Sequence, residues 1–368
     1  MTFVPDHPAG LPSLGAARST IADLMARHRV PGLSVAVTSS TVMLHAEGFG
    51  YRNLAEGSPA TAGTSYLWFS MSKIATATAA MRLVDEGRLD LDAPVDRFVP
   101  TFRGSSGPPA RVRQLLDHTS GAPNPLPLRW IQPTGRVHDD ATAELLARHG
   151  RPRRPAGGRA RYSNVGYLVL AEVVASVAGQ PFEDYVRDAV LEPTGMSGTG
   201  YLRPDDAESA TGYVRLPRVL DPALRRALPR GVVGARQDGF VGLESFRVTG
   251  AGYGGLVGSA TDAARLVRLH LGDGAIDGRR VLEPQTARLM RDIRTPGRPF
   301  DLGLGWFRRA RDRATRPVFV EHWGTGGGFW NAMRLYPGLD LGIVVMANTT
   351  HSYEHHALMD GLRRAFRP

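Results

Sequence analysis

Cysteine is absent from this sequence, and so are long apolar runs. Without cysteine the chain has no disulfide bond, no thiolate nucleophile and no cysteine-ligated zinc. No stretch approaches the roughly 18 uninterrupted apolar residues of a membrane-spanning helix, so we expect no membrane partner. The first residues lack a basic region followed by an apolar run, so we expect no secretory signal and a cytoplasmic location.

Lysine is nearly absent, because Lys73 is the only lysine among 45 lysine and arginine residues. An arginine guanidinium stays protonated, whereas a lysine amine loses its proton when it is desolvated or placed near other positive charges. Whatever favours arginine elsewhere in the chain has not acted at position 73. The pattern therefore indicates that this position requires an amine that can be neutral.

Positive charge is in excess, with a formal net charge of +10 at pH 7. Such a balance would suit a nucleic-acid partner. The arginines, however, are spread along the whole chain, and the densest clusters, at 151–154 and 308–313, lack the interleaved aromatic residues of a base-stacking surface. We therefore interpret the charge as an arginine-biased composition and expect no nucleic-acid partner.

Apolar periodicity predicts strands near both ends of the chain and helices between them. The predicted strands cover residues 33–38, 41–49, 302–307, 318–322, 329–336 and 341–347. The predicted helices include residues 13–29, 74–81, 141–148, 165–177, 182–190, 263–271 and 352–366. This order predicts an α+β fold, an α/β sandwich in which an antiparallel sheet built from both termini is flanked by helices.

The predicted domain boundaries follow the same alternation. Residues 1–62 and 298–368 are assigned to the α/β domain that contains the sheet, and residues 63–297 to a mostly helical domain inserted in the middle. Residues 214–248 are basic and punctuated by glycine and proline, and we interpret them as an irregular insertion. The active site is expected between the two domains.

The predicted active site centres on a stretch that contains Ser70 and Lys73 at the start of a small-residue helix. Residues three apart lie on one helix face, so the amine can reach the hydroxyl. A serine hydroxyl needs a base before it can attack a carbonyl. A capping serine followed by a solvated lysine would give the same short pattern, but the isolation of Lys73 favours a nucleophile with its own base.

Two further stretches carry groups suited to acyl transfer. Tyr162 is a second proton carrier, since a phenol near a cation could be held as a phenolate. Asn164 offers an amide to Lys73 or to a substrate carbonyl. In the glycine-rich stretch 321–328, the N–H of Thr325 is expected to pair with the N–H of Ser70 as an oxyanion hole, with each donor typically worth ~3 kcal/mol.

These stretches together resemble the serine β-lactamase/penicillin-binding-protein superfamily, and specifically its class C-like branch. The catalytic motifs of that branch are matched by residues 70–73, 162–164 and 322–324, and its structural signatures by residues 31–37, 115–121, 191–196 and 254–256. The resemblance covers most of the chain in the right order. It implies a β-lactamase/transpeptidase-like fold and an acyl-enzyme mechanism that uses Ser70, Lys73 and Tyr162, without metal or cofactor.

One motif departs from the pattern of the branch. β-Lactamases of this type carry Lys-Thr-Gly where this chain has His322, Trp323 and Gly324, so the cation that contacts a β-lactam carboxylate is missing. His-x-Gly resembles the esterase and peptidase members instead, with His322 bordering the pocket. We expect Trp323 to narrow the pocket, and we expect hydrolysis of a small ester or amide. Acyl transfer and D-amino-acid amidase or carboxypeptidase activity remain open alternatives.

Motifs of two other hydrolase classes have little or no support in the sequence. Residues 351–355 match the inverted zincin pattern H-x-x-E-H, but few residues follow His355 to supply a third ligand. No G-x-S-x-G stretch is present, so an α/β-hydrolase elbow is not supported. His118 and Ser163 are interpreted as structural residues. A non-catalytic descendant that keeps the fold to bind a ligand is the alternative from another functional class.

Overall fold

The computed structural model describes residues 14–104, 107–127, 130–134, 140–201 and 208–366. The segment on which the prediction of no secretory signal rests, residues 1–13, lies outside this part of the chain. Within it, no single helix is both long and apolar enough to cross a membrane, although the bent pair Asn164–Ala178 and Phe182–Thr194 meets those criteria together.

Helices and strands alternate along the described chain. The helices are α1 (Leu14–His28), α2 (Ser72–Asp85), α3 (Val112–Leu116), α4 (Ala141–His149), α5 (Asn164–Ala178), α6 (Phe182–Val186), α7 (Glu192–Thr194), α8 (Asp221–Ala227), α9 (Ala251–Gly254), α10 (Ala260–Leu271), α11 (Pro284–Arg291) and α12 (His355–Phe366). The strands are β1 (Gly32–Thr38), β2 (Met43–Asn53), β3 (Ser58–Pro59), β4 (Ser65–Leu67), β5 (Ile131–Pro133), β6 (Gly212–Arg215), β7 (Val233–Gln237), β8 (Phe240–Leu243), β9 (Phe246–Val248), β10 (Val257–Ser259), β11 (Ala275–Ile276), β12 (Arg279–Arg280), β13 (Phe300–Leu302), β14 (Phe307–Arg309), β15 (Val320–Gly326), β16 (Phe329–Tyr336) and β17 (Leu341–Ala347).

The main sheet has eight strands in the order β13-β14-β15-β16-β17-β1-β2-β3. Neighbouring strands are antiparallel, and β1 from the first part of the chain pairs with β17 from the last part, with Leu33 opposite Ala347. The prediction of an antiparallel sheet built from both ends of the chain is therefore confirmed.

Side-chain alternation in the central strands divides the core into two layers. Val35 and Val37 pack with residues of α1 and α12, whereas Ala36, which lies between them, belongs to the larger cluster on the other face. Successive strand residues point to opposite faces, so one apolar strand serves both layers. Helices α1 and α12 cover one face of the sheet, and α10 packs against the other.

Helix α2 lies in the larger core, where small side chains let it approach its neighbours closely. Ala75, Ala77, Ala79 and Ala80 are fully buried, and α2 packs against α5 and α9. Its first turn carries Lys73. The strongly apolar stretch predicted as a helix at 165–177 is α5, which begins one residue earlier and ends one residue later.

Three local predictions were wrong. The stretch 302–307 is not one strand, because a tight turn containing Gly305 (φ 103°) separates β13 from β14. Strand β2 does not end at Phe49 but continues to Asn53. The segment 214–248 is not irregular, since it forms a three-stranded sheet in the order β6-β8-β7 together with α8. The division into two domains at 62/63 and 297/298 stays a prediction.

Candidate active site

Ser70 lies in a single 3₁₀ turn, Phe69–Met71, that leads into α2. The preceding residue, Phe69, has a φ of 47°, a left-handed conformation that is unfavourable for a bulky side chain. Such strain persists only where the surroundings hold it in place, and it is concentrated at functional sites. The turn leaves Ser70 partly exposed while its neighbours are buried.

Lys73 is completely buried, and its amine has three close neighbours. Its Nζ lies 3.0 Å from Ser70 Oγ, 2.8 Å from Asn164 Oδ1 and 2.9 Å from the carbonyl oxygen of Tyr253. Burial lowers the pKa of Lys73 well below its usual value, which favours the neutral amine. A neutral amine has two N–H donors and one lone pair. The two carbonyl oxygens accept the N–H groups, so the lone pair is left for the Ser70 hydroxyl.

Tyr162 contacts this cluster through both its ring and its hydroxyl. Lys73 Nζ lies 4.9 Å from the Tyr162 ring centroid. The Tyr162 hydroxyl interacts with Ser70 and lies 3.3 Å from His322 Nε2. Burial raises the pKa of Tyr162 above its usual value, so the phenol stays protonated. The suggestion of a resting phenolate is therefore not supported.

His322 is held in one tautomer by the backbone. Its Nδ1 lies 2.9 Å from the carbonyl oxygen of Gly305, which can only accept, so Nδ1 carries the proton. Nε2 is then an acceptor for the Tyr162 hydroxyl. Burial lowers the pKa of His322 to about 3, so the ring is neutral at physiological pH. Position 322 therefore borders the site without supplying a positive charge.

His118 and Ser163 have the structural roles expected of them. The His118 ring packs on the Tyr162 ring at 4.5 Å, and its Nδ1 accepts from the backbone N–H of Ser163 at 3.1 Å. Ser163 caps α5 by accepting from Gly166 N–H, and its hydroxyl donates to the Pro123 carbonyl. Together these contacts fix the backbone on both sides of Tyr162.

Strand β15 lies against the turn that carries Ser70. A Cβ on Gly324 would lie 1.8 Å from the Trp68 carbonyl oxygen, and a Cβ on Gly326 would lie 2.1 Å from the Phe69 ring. Only glycine permits this close approach at both positions. Thr325 lies between them with an exposed side chain. Its predicted oxyanion role, with the N–H of Ser70, stays a prediction.

Trp323 does not line the pocket, so the expectation that it narrows the site was wrong. Strand alternation places His322 and Trp323 on opposite faces of β15. The Trp323 ring contacts His355 and His356 of α12, each at a centroid distance of 5.0 Å, and Phe300 at 5.2 Å. Its bulk therefore fills the layer between the sheet and the terminal helix.

Three groups of the site were not found from the sequence. The Tyr253 carbonyl that binds Lys73 directly precedes the 254–256 signature, which was noted only as structural. Asn124 accepts from the backbone N–H of Asn164 at 3.0 Å, and it lies in a proline-rich stretch that contains none of the predicted catalytic motifs. The Gly305 carbonyl has no sequence signal, because any residue would supply one.

The residues of the zincin-like pattern have other partners. In the described ranges, no group of three or more His, Asp or Glu side chains is arranged to hold a metal ion. His351 Nε2 lies 2.7 Å from the Arg215 carbonyl oxygen, to which it donates. His355 packs against Trp323 and Trp330.

Comparison with known proteins gives matches over most of the chain. The family model described as Beta-lactamase matches residues 17–366. An uncharacterized protein of Mycobacterium tuberculosis is 33% identical over 296 residues, which cover 72% of this chain and 70% of that protein. The D-alanyl-D-alanine-carboxypeptidase/endopeptidase AmpH of Escherichia coli is 25% identical over 316 residues, which cover 80% of this chain and 73% of AmpH.

A solved structure extends these matches to the fold. The octameric penicillin-binding protein homologue from Pyrococcus abyssi has a TM-score of 0.79 to this chain at 25% sequence identity, and the match covers 95% of this chain and 77% of that one. The β-lactamase/transpeptidase-like fold predicted from the motifs is confirmed by this match.

Proposed function

This chain belongs to the Beta-lactamase family, and from that membership and the geometry around Ser70 we propose that it is a serine hydrolase that forms an acyl-enzyme on a small ester or amide. The observation that carries the proposal is the fully buried Lys73 amine, whose pKa is lowered by burial, 3.0 Å from Ser70 Oγ. Its two N–H groups are bound by carbonyl oxygens, so its lone pair is available to accept the serine proton.

The reaction would begin when Lys73 takes the proton of the Ser70 hydroxyl while Oγ attacks the substrate carbonyl. The carbonyl electron pair moves to oxygen, where the N–H groups of Ser70 and Thr325 would stabilise the oxyanion. Collapse of this intermediate breaks the ester or amide bond. The leaving atom takes a proton from Tyr162, whose hydroxyl interacts with Ser70, and Tyr162 recovers a proton from Lys73.

Hydrolysis of the acyl-enzyme would reverse these proton movements. A water molecule gives its proton to the neutral Lys73 and attacks the acyl carbonyl, and Ser70 Oγ leaves with the returned proton. Acylation and deacylation each begin and end with neutral Lys73 and neutral Tyr162. This agrees with the burial of both groups, since burial penalises a charged resting state.

Two features favour esters and amides over β-lactams. Position 322 carries a neutral histidine whose pKa is about 3, so it cannot bind a carboxylate as the lysine of β-lactamases would. The relative AmpH is a carboxypeptidase and endopeptidase by name, which supports amide cleavage as part of the range.

The test is acylation of the serine. We expect the wild type to form a fluorophosphonate adduct, detected by intact mass, and to hydrolyse p-nitrophenyl acetate. Ser70→Ala should lose both, because no other residue is activated by Lys73, whereas Ser58→Ala, a control on the edge strand β3, should keep both. If the wild type forms no adduct and behaves like Ser70→Ala, the chain is a ligand-binding descendant and the proposal is wrong.

A further inference from the structure

A cavity of about 340 Å³ lies beside the catalytic cluster, with Tyr162 and Asn124 in its wall. Tyr162 interacts with Ser70 through its hydroxyl, and Asn124 accepts a hydrogen bond from the backbone of Asn164. Asn164 in turn binds Lys73. The wall of the cavity is therefore at most two contacts away from the serine and its base.

Arginines supply much of the remaining wall. Arg153, Arg154 and Arg161 all line this cavity, and an adjoining cavity of about 490 Å³ shares Arg154 and Arg161 and adds Arg159. All four side chains are exposed, so their charges are accessible to a ligand. A ligand in the cavity would meet both these positive charges and Tyr162.

Backbone hydrogen bonds hold the arginine segment against the site. The N–H of Arg153 donates to the Gly121 carbonyl at 3.0 Å, and the N–H of Arg161 donates to the His118 carbonyl at 2.9 Å. Gly121 has a φ of 77°, and a Cβ there would lie 2.1 Å from the Arg154 carbonyl oxygen. The two segments are thus in direct contact, so the backbone of the arginine segment has a fixed position relative to Tyr162.

The arginines of the smaller cavity have no acidic partner among the described residues. Other arginines are ion-paired, as in the contacts of Arg113 with Asp92 and of Arg313 with Asp301. Within the described part of the chain, none of the guanidinium groups of the three arginines in the smaller cavity contacts a carboxylate. Unneutralised like charges held together repel one another, and a bound anion would remove that cost.

We propose that this cavity binds a carboxylate that the substrate carries at a distance from the bond to be cleaved. Guanidinium groups bind carboxylates through paired, charge-assisted hydrogen bonds, and two or three of them can converge on one group. The cation would thus come from the 150–161 segment rather than from position 322, where His322 is neutral. This inference rests on the proposed function, because it extends the substrate of the same serine.

Two pairs of esters, each consisting of a carboxylate and its neutral amide analogue, test whether the carboxylate lies on the acyl side or on the leaving-group side of the cleaved bond. The acyl-side pair is the p-nitrophenyl monoester of glutaric acid and its glutaramide analogue. The leaving-side pair is 4-acetoxybenzoate and 4-acetoxybenzamide. We expect kcat/KM to favour the carboxylate about tenfold in one pair, since charge-assisted hydrogen bonds contribute this much at an accessible site. The pair that shows the preference identifies which end of the substrate enters the cavity.

The double variant Arg153→Gln/Arg154→Gln removes two of the charges, and both positions are exposed, so the protein should fold. We expect the carboxylate-to-amide ratio of kcat/KM to fall to near one. Arg311→Gln is a control for the loss of an exposed positive charge away from the cavity, because Arg311 is exposed and its charge acts on His356 of α12. It should keep the wild-type ratio. Added salt should lower the wild-type ratio, since screening weakens accessible charge pairs.

The outcomes separate this inference from the proposed function. Hydrolysis of the esters with a ratio that the double variant does not change would overturn the carboxylate site and leave the serine hydrolase intact. Hydrolysis of no ester would overturn the proposed function. In that case calorimetric titration of Ser70→Ala with 4-acetoxybenzoate and 4-acetoxybenzamide tests the cavity directly: equal affinities overturn it, and a carboxylate preference lost with the two arginines supports it.

Discussion

At the scale of single residues, the chemistry depends on an amine whose burial lowers its pKa and so disfavours protonation. Lys73 is fully buried, and its partners are a hydroxyl, an amide oxygen and a backbone carbonyl rather than a carboxylate. A nearby carboxylate would stabilise the ammonium form and raise the pKa, whereas these neutral acceptors leave desolvation dominant. The same position occupied by arginine would be a permanent cation and could not accept a proton.

The pH dependence of activity follows from these pKa directions. Lys73 must be neutral to act, and its pKa is well below the usual value, so kcat/KM for a neutral ester should be high at neutral pH and fall as the amine is protonated in acid. The pKa of Tyr162 is raised, so the phenol should stay protonated and no loss should occur below about pH 10. A pH–rate profile with p-nitrophenyl butyrate measures both limbs.

The variant Lys73→Arg tests the same assignment of Lys73 as the base. It should keep the fold by circular dichroism and lose kcat/KM by about 10³-fold or more across the profile, because a guanidinium cannot take the serine proton. A wild-type rate that rises only above about pH 10 would mean that the amine is protonated at neutrality. Either that result or substantial turnover by Lys73→Arg would exclude Lys73 as the base.

At the scale of elements, the site requires strand β15 to lie directly against the turn before α2. Gly324 and Gly326 make this possible, because any side chain at either position would occupy space already filled by Trp68 or Phe69. The alternation of β15 then directs His322 toward the site and Trp323 toward α12. One strand thus contributes a polar edge to the site and an apolar contact to the opposite layer.

Gly324→Ala should disturb this contact. The new Cβ would meet the Trp68 carbonyl at 1.8 Å, so strand and turn must separate. We expect a loss of about 1–3 kcal/mol in the free energy of unfolding, measured in urea. We also expect kcat to fall by about 100-fold, since the Thr325 N–H moves relative to Ser70.

Gly338→Ala is the control for Gly324→Ala. A Cβ on Gly338 would meet nothing within 4 Å, so both its stability and its activity should match the wild type within about 0.5 kcal/mol. If Gly324→Ala behaved like Gly338→Ala, the close approach of β15 to the Ser70 turn would not be required for the site.

At the scale of the whole molecule, many of the arginines are ion-paired with acidic side chains. Arginines in every part of the described chain contact acidic side chains, from Arg18 with Glu47 to the buried Arg334 with Glu321. The latter pair ties β15 to β16, and Arg334 also reaches Asp360 of α12. Arginines that are paired with carboxylates in this way do not form a continuous positive surface that could bind a polyanion.

We therefore expect no specific binding of nucleic acid despite the net charge of +10. Fluorescence anisotropy of a labelled DNA duplex should show at most weak binding in low salt, and that binding should disappear near 0.15 M salt, because only nonspecific phosphate contacts contribute. Binding that persisted at this ionic strength, or that depended on sequence, would contradict the interpretation of the arginines as structural.

The sequence by itself determined the reactive groups and the order of the elements. A lone lysine three residues after a serine is a local pattern, and the strands of the central sheet follow from periodicity within each segment. Ser70, Lys73 and Tyr162 are brought together in the structure as the motifs predicted. Even the assembly of the sheet from both ends of the chain was predictable, because apolar strands occur near both ends of the chain.

Only the tertiary structure decided the charge states and the shape of the site. The carbonyl groups that contact the Lys73 amine come from residues 91 and 180 positions away, and the tautomer of His322 depends on a backbone oxygen with no sequence signal. The face occupied by Trp323 depended on the register of β15. A pKa and a cavity wall are set by what packs around a group, and that packing joins segments whose proximity no local pattern encodes.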